Sequence, residues 1–196
     1  AGTMRMSTVQ TVKTYMTADV GGGSMVFISS SGTINNAATV VFTGFDASAY
    51  DAYVFMMHAV VPKTNAIKLF CQTSTDGGSN FAGTSGNYHQ GNETDTAGLT
   101  VSQLDIGGEG QSDSNFGVTG PFELFNVGSS ALFTTALSKV MIVADGATQG
   151  GASMNFVYGH RDSISQRYAA ETNNAVRFLF ESGNIDSGEI VMYGIA

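Results

Sequence analysis

Ala52-Tyr53-Val54-Phe55-Met56-Met57-His58-Ala59-Val60-Val61 is the stretch on which the fold turns. It is short, rich in aromatic and β-branched side chains, and apolar at nearly every position, and Pro62 closes it because proline cannot donate to a ladder. A strand with one wet face alternates; one without alternation is covered on both sides. The stretch therefore predicts a central strand, with His58 as a hydrogen-bonded core residue.

Similar runs lie on either side, separated by clusters of Gly, Asn, Asp and Ser. They are Met25 to Ser29, Thr39 to Thr43, Ala66 to Thr73, Leu99 to Ile106, Pro121 to Val127, Lys139 to Ala144, Met154 to His160, Ala175 to Glu181 and Gly188 to Ile195. In Val176 to Glu181 and Glu189 to Ile195, charged residues flank or interrupt apolar ones at about period two. So many strands exceed one open sheet of modest size, and two packed antiparallel sheets follow: an all-β sandwich with little helix. The best helical candidate, Ser163 to Ala170, is short. Thr8 to Thr17 is dominated by Thr and Val and reads as part of an extended arm over residues 1–20, expected to pack on a neighbouring subunit, with one sandwich domain over 21–196.

Only 12% of the 196 residues are charged, while glycine alone supplies 25. The surface must then be built from Ser, Thr, Asn and Gly. The net charge is −8 and the eight basic residues are scattered, which disfavours nucleic acid and anionic membrane surfaces, both of which need clustered cations. No stretch approaches the roughly 18 apolar residues of a membrane span. Cys71 lies in the apolar run Ile67 to Cys71 and reads as a buried small hydrophobe.

Ser74-Thr75-Asp76-Gly77-Gly78-Ser79-Asn80-Phe81 matches the Asp-box pattern on the turns of sialidase-like propeller blades. Its spacing is mechanical: Asp76 bonds amides two residues ahead, glycine supplies positive φ, and Phe81 locks the turn onto the sheet. A propeller repeats its blade motif, and this pattern occurs once, so the reading is a turn.

Between Lys68 and Lys139 there is no Lys or Arg, yet seven carboxylates occur. Asp105, Glu109 and Asp113, interspersed with glycines, read first as a solvated acidic loop with no cofactor, with calcium ligands as the alternative. No nucleophile elbow, metal-spaced histidine pair or phosphate-cradling motif is present, so the chain reads as non-enzymatic. Loop residues from Phe81 to Asn115 are the expected recognition surface, with Tyr88, His89 and Asn92 as candidate glycan or receptor contacts and a core anchor as the other reading of Tyr88.

Three stretches carry a resemblance. They are Ala38 to Phe45 followed by Tyr50 to Phe55; Val61-Pro62 leading through Leu69 to the Ser74–Phe81 turn; and Val176 to Ile185 closing with Gly188 and Tyr193-Gly194-Ile195. Together, and with a weaker match at Gly120 to Leu124, they resemble phage virion β-sandwich proteins of the tail-fibre or tail-associated kind. Members commonly carry an aromatic, often Trp, where Asn80-Phe81 stands. The resemblance implies a jelly-roll-like virion protein: a tail-fibre, receptor-binding or capsid-decorating component. Its partners would be other virion proteins and a host-surface glycan, and it would be a homo-oligomer, a trimer if it is a fibre. The competing expectation is a carbohydrate-binding module of a secreted glycan-active protein.

Overall fold

A computed structural model describes residues 25–64, 67–91, 99–110, 117–142, 163–167 and 170–196. The strands are β1 (Met25–Ser30), β2 (Ile34–Ala37), β3 (Val40–Thr43), β4 (Ala52–Pro62), β5 (Ile67–Ser74), β6 (Tyr88–Gly91), β7 (Leu99–Val101), β8 (Leu104–Gly110), β9 (Val118–Phe125), β10 (Thr135–Ser138), β11 (Ser163–Arg167), β12 (Ala175–Phe180) and β13 (Ile185–Ile195). Every pairing between them is antiparallel. One sheet runs β1-β13-β4-β9-β10-β11-β6-β7, with β2 also on β13, and the other runs β3-β12-β5-β8. No helix occurs among the described residues.

Set β2, β6, β7, β10 and β11 aside and the two sheets become β1-β13-β4-β9 and β3-β12-β5-β8. Consecutive strands of this frame alternate between the sheets except β5 and β8, which are neighbours in the smaller one, and the first lies beside the last. That is the jelly roll, two antiparallel sheets closed by Greek-key connections. β2 comes from the connection between β1 and β3 and pairs with β13; the other extra strands come from two connections, β6 and β7 from the segment after β5 and β10 and β11 from the segment after β9. They extend the larger sheet beyond β9 until its strands touch β8 of the smaller one.

The core is an aromatic cluster between the sheets. Phe55 and Phe122 of the larger sheet meet Phe42 and Phe178 of the smaller, with ring centroids 5.0 Å apart for Phe55–Phe178, 5.4 Å for Phe42–Phe55 and 5.9 Å for Phe122–Phe178. Edge-to-face arrangement dominates, as ring quadrupoles prefer. Cys71 is fully buried beside them, and burial pushes its thiol up, away from a reactive thiolate.

β4 is central, between β13 and β9, as its unbroken apolar run requires. His58 is nevertheless exposed, not a core residue. Met57 faces Gly120 on β9 and Val60 faces Val118, so two residues of β4 oppose one of β9, and the register against β13 shifts at the same place. This is a β-bulge. Ala59 sits in it at φ +47°, its N–H donating to the Thr119 hydroxyl at 3.1 Å, and the bulge turns His58 out of the alternation.

Other expectations are corrected as well. Ser163 to Ala170 is not a helix: Ser163–Arg167 forms β11, held between β10 and β6, so ladder bonds on both sides override a weak local preference. The single run Leu99 to Ile106 divides into β7 and β8, which belong to different sheets. Of Lys139 to Ala144, the described part makes only a bridge from Met141 to Thr119. Met154 to His160 and the arm at 1–20 lie outside the described residues.

Candidate functional site

Two surfaces stand out, one apolar and one polar. The first is the outward face of the larger sheet. Residues directly opposite across an antiparallel ladder share a face. Register therefore sets Met25, Ile195, Ala52 and Phe125 in one row, Phe27, Tyr193, Val54 and Glu123 in the next, and Val191, Met56 and Pro121 in a third. Glu189, His58, Thr119 and Met141 make the fourth. An outer face is expected to be polar, but the first three rows carry one charge, Glu123. Phe27 is 60% exposed, packed edge-on against Tyr193 at 6.1 Å, and Met25 and Met141 are exposed at 47% and 56%, whereas Ala52, Val54 and Val191 in the same rows are buried, so the exposed apolar area lies toward β1 and around Met141.

The second surface is the turn after β5. Ser74 Oγ accepts the N–H groups of Asp76 at 3.3 Å and Gly78 at 3.0 Å and donates to Asp76 Oδ1 at 2.7 Å. Asp76 Oδ1 also accepts the Asn80 N–H at 2.8 Å, and Oδ2 accepts Asn80 Nδ2 at 2.7 Å. The carboxylate thus reaches the amide four residues ahead, not two. Gly77 and Gly78 take φ +74° and +91°, a region other L-residues avoid. Phe81 lies under the Arg177 guanidinium, 4.5 Å from ring centroid to carbon, which anchors the turn to β12 as the motif predicts.

Those bonds hold the Asp76 carboxyl at about 2, below its ordinary 3.8, the Asn80 amide being the largest cause, then the Asn80 side chain and the Ser74 hydroxyl. A group depressed on folding adds stability above its unfolded value and loses it as pH falls toward the folded one. Between pH 3.8 and about 2 the turn should loosen, and hydrogen exchange at the Gly78 and Asn80 amides should accelerate across that window. In Asp76→Ala the same amides should exchange fast at neutral pH, with no further acceleration in acid.

Asn174, far along the chain, completes the turn: its Oδ1 accepts the Gly77 N–H at 2.7 Å and its Nδ2 donates to the Thr75 carbonyl at 3.0 Å. Beside it opens a cleft of about 240 Å³, with Asp76, Asn80, Phe81, Asn87, Glu171 and Asn173 in its lining. Asn173 is 1% exposed. Its Nδ2 donates to Thr134 Oγ1 at 2.9 Å and to the Glu171 carbonyl at 3.1 Å, which fixes the amide's orientation. Its Oδ1 accepts no hydrogen bond.

The residues proposed from sequence are not gathered there. Tyr88 is fully buried: its hydroxyl accepts the Thr73 N–H at 2.8 Å and donates to the Ala82 carbonyl at 2.9 Å, so its ring is a core anchor, not a sugar platform. His89 is half-buried in β6, and Asn92 lies outside the described residues. Of the candidate calcium ligands, the structure describes the surroundings of Asp105 alone. Asp105 is buried and pairs with Lys68 at 3.4 Å, because β5 lies against β8 and supplies the cation that the acidic stretch lacks. Asp113 lies outside the described residues, among which no cluster of three or more His, Cys, Asp or Glu side chains occurs. Asn173 and Glu171, which do face a cleft, carry no local sequence signal: an Asn-rich connection before a strand is ordinary turn material.

Comparison with protein-family models, with curated proteins and with solved structures finds no match.

Proposed function

We propose that this chain is a structural protein of the phage virion surface, a tail-fibre, receptor-binding or capsid-decorating component that assembles as a homo-oligomer, a trimer if it forms a fibre. The observation that carries the reading is the apolar outer face of the larger sheet. Met25 and Phe27 stand exposed at its edge, with Tyr193, Met56, Phe125 and Ile195 partly exposed beside them, a contiguous apolar patch of the kind that marks an interaction site. A neighbouring subunit is the natural cover for such a face, and sheets stack face to face about 10 Å apart. The jelly roll agrees, being an architecture of viral capsid and lectin domains, though fold alone assigns no function. A surface of Ser, Thr, Asn and Gly with few charges suits a particle that must resist unfolding outside a cell.

Light scattering tests the assembly and proteomics of purified particles tests the location. The chain should run as an oligomer, and Phe27→Lys with Tyr193→Lys should shift it to monomer without unfolding it. A native chain that stays monomeric at high concentration, or is missing from particles, would overturn the proposal. The second reading, a carbohydrate-binding module, draws on the polar cleft beside the Ser74–Phe81 turn.

A further inference from the structure

We infer that the Ser74–Phe81 turn keeps the Asp76-Gly77 bond from isomerising, and that Asn174 is the residue that holds it shut. The inference goes beyond the assembly reading and does not depend on it. Its starting point is a chemical liability. Asp-Gly is the aspartyl step most prone to isomerise, because glycine has no Cβ to hinder attack on the preceding carboxyl. Only Asp76-Gly77 and Asp145-Gly146 have this form in the chain, and Asn-Gly is absent. The turn needs both residues of the first pair: Gly77 takes φ +74°, and the Asp76 carboxylate closes the loop onto Asn80. Asp76 and Gly77 are also exposed, so exclusion of water does not protect them.

Isomerisation begins when the Gly77 nitrogen gives up its proton and attacks Asp76 Cγ, forming an N–Cγ bond and expelling one carboxyl oxygen as water. The cyclic imide then takes water back at either carbonyl. One opening restores Asp76, and the other leaves a main chain routed through Cγ and longer by one carbon, with no net gain or loss of atoms. Hydrogen bonds oppose each part of the first step. Gly77 N–H donates to Asn174 Oδ1 at 2.7 Å, so the proton that has to leave is bound. Asp76 Oδ1 accepts the Asn80 N–H at 2.8 Å and the Ser74 hydroxyl at 2.7 Å, and Oδ2 accepts Asn80 Nδ2 at 2.7 Å, so the carboxyl is not free to swing over the Gly77 nitrogen. The same bonds, the Asn80 N–H first, hold the carboxyl at about 2 and so in its ionised form, the poorer electrophile. Asn174 adds the decisive restraint. Its Nδ2 donates to the Thr75 carbonyl at 3.0 Å, so one side chain grips the peptide groups on both sides of Asp76, and the ring cannot close unless Asp76 turns between them. Its own N–H donates to the Ser74 carbonyl at 2.8 Å, which fixes the grip to β5.

Isoaspartate at Asp76, followed by isoaspartyl methyltransferase labelling and fragmentation mass spectrometry during long incubation of the whole chain near neutral pH, tests the inference. The chain denatured in urea supplies the unprotected rate, with Asp145 as a second Asp-Gly step of the same chemistry. In the native chain Asp76 should isomerise about tenfold more slowly or less, because hydrogen bonds that break before the ring closes add to the barrier. Asn174→Ala should raise the native rate by about fivefold or more. Ile185→Val, which thins the core beyond the far end of β12 and touches nothing in the turn, should leave it unchanged. If Asn174→Ala does not fold, Asn80→Ala, which releases Asp76 Oδ2, takes its place under the same expectation. The inference is overturned if Asp76 isomerises as fast in the native chain as in urea, or if the folded variant stays as slow as the native chain. It is equally overturned if Ile185→Val speeds the reaction as much as the variant in the turn, since general loss of stability would then account for both. Each of these results leaves the light-scattering and particle tests of the assembly reading untouched.

Discussion

Phe55→Ala should cost about 3–5 kcal/mol of stability, the usual range for removing a large aromatic from a packed core. Phe55 is fully buried and touches rings from both sheets: Phe178 at 5.0 Å, Phe42 at 5.4 Å and Phe122 at 6.3 Å. Its deletion therefore removes the shared vertex of the cluster and leaves a void that strands on two sheets would both have to move to fill. For a domain of this size each kcal/mol is worth about 2–4 °C, so the melting temperature should fall by about 10 °C. Phe45→Ala, which removes a partly buried ring at the cluster's margin, should cost clearly less. Thermal melts of the two variants beside the native chain decide the point. Equal losses would mean that the inter-sheet cluster is not the centre of the core.

The second large effect is at the bulge. Gly188 sits across from Ala59 at φ +123°, and a Cβ placed there would lie 2.5 Å from the Ala59 oxygen and 2.8 Å from the Val60 Cα. Both are backbone atoms of the central strand and cannot swing aside as a side chain would. Gly188→Ala should thus combine a strained backbone with overpacking, about 2–5 kcal/mol together. Gly32 is the control: its φ is +62° with nothing within 4 Å of a built Cβ, so alanine there meets only the left-handed penalty of about 1–2 kcal/mol. Denaturant titration of both variants should separate them, and similar midpoints would show that the bulge yields more easily than its geometry implies.

The same bulge marks where sequence stops being informative. The apolar run Ala52 to Val61 is enough to predict a central strand, since burial on both faces leaves a plain signature. That His58 leaves the pattern is decided by Gly188 on β13 and Thr119 on β9, neither of which is near it in sequence. The jelly-roll order likewise follows only from which strands pair. Lys68 neutralises Asp105 because β5 and β8 are neighbours, and a search along the chain for a nearby cation misses it. The Ser74–Phe81 turn was legible because its geometry is local, down to the positive φ of its glycines; only the reach of Asp76 differs. The cleft beside it was not, because Asn173 and Asn174 arrive from the far end of the chain. Tyr88 misleads as a surface candidate for a related reason: its Gly- and Asn-rich surroundings look like an exposed loop, while its hydroxyl is the polar partner of two buried backbone groups.

The position of β13 in the larger sheet also governs the order in which the molecule can form. It is the last of the described strands in chain order, yet both β1 and β4 take their partner from it: Met25 lies opposite Ile195, and Tyr53 opposite Gly194. During synthesis at about 5–20 residues per second, the half of β4 that pairs with β13 waits roughly 7–28 s after leaving the ribosome. Throughout that interval one of the most apolar segments of the chain is without its neighbour. The nascent protein is consequently most vulnerable to aggregation while β4 waits for β13, and a chaperone that shields extended apolar segments would do most for its yield by engaging β4 before β13 emerges.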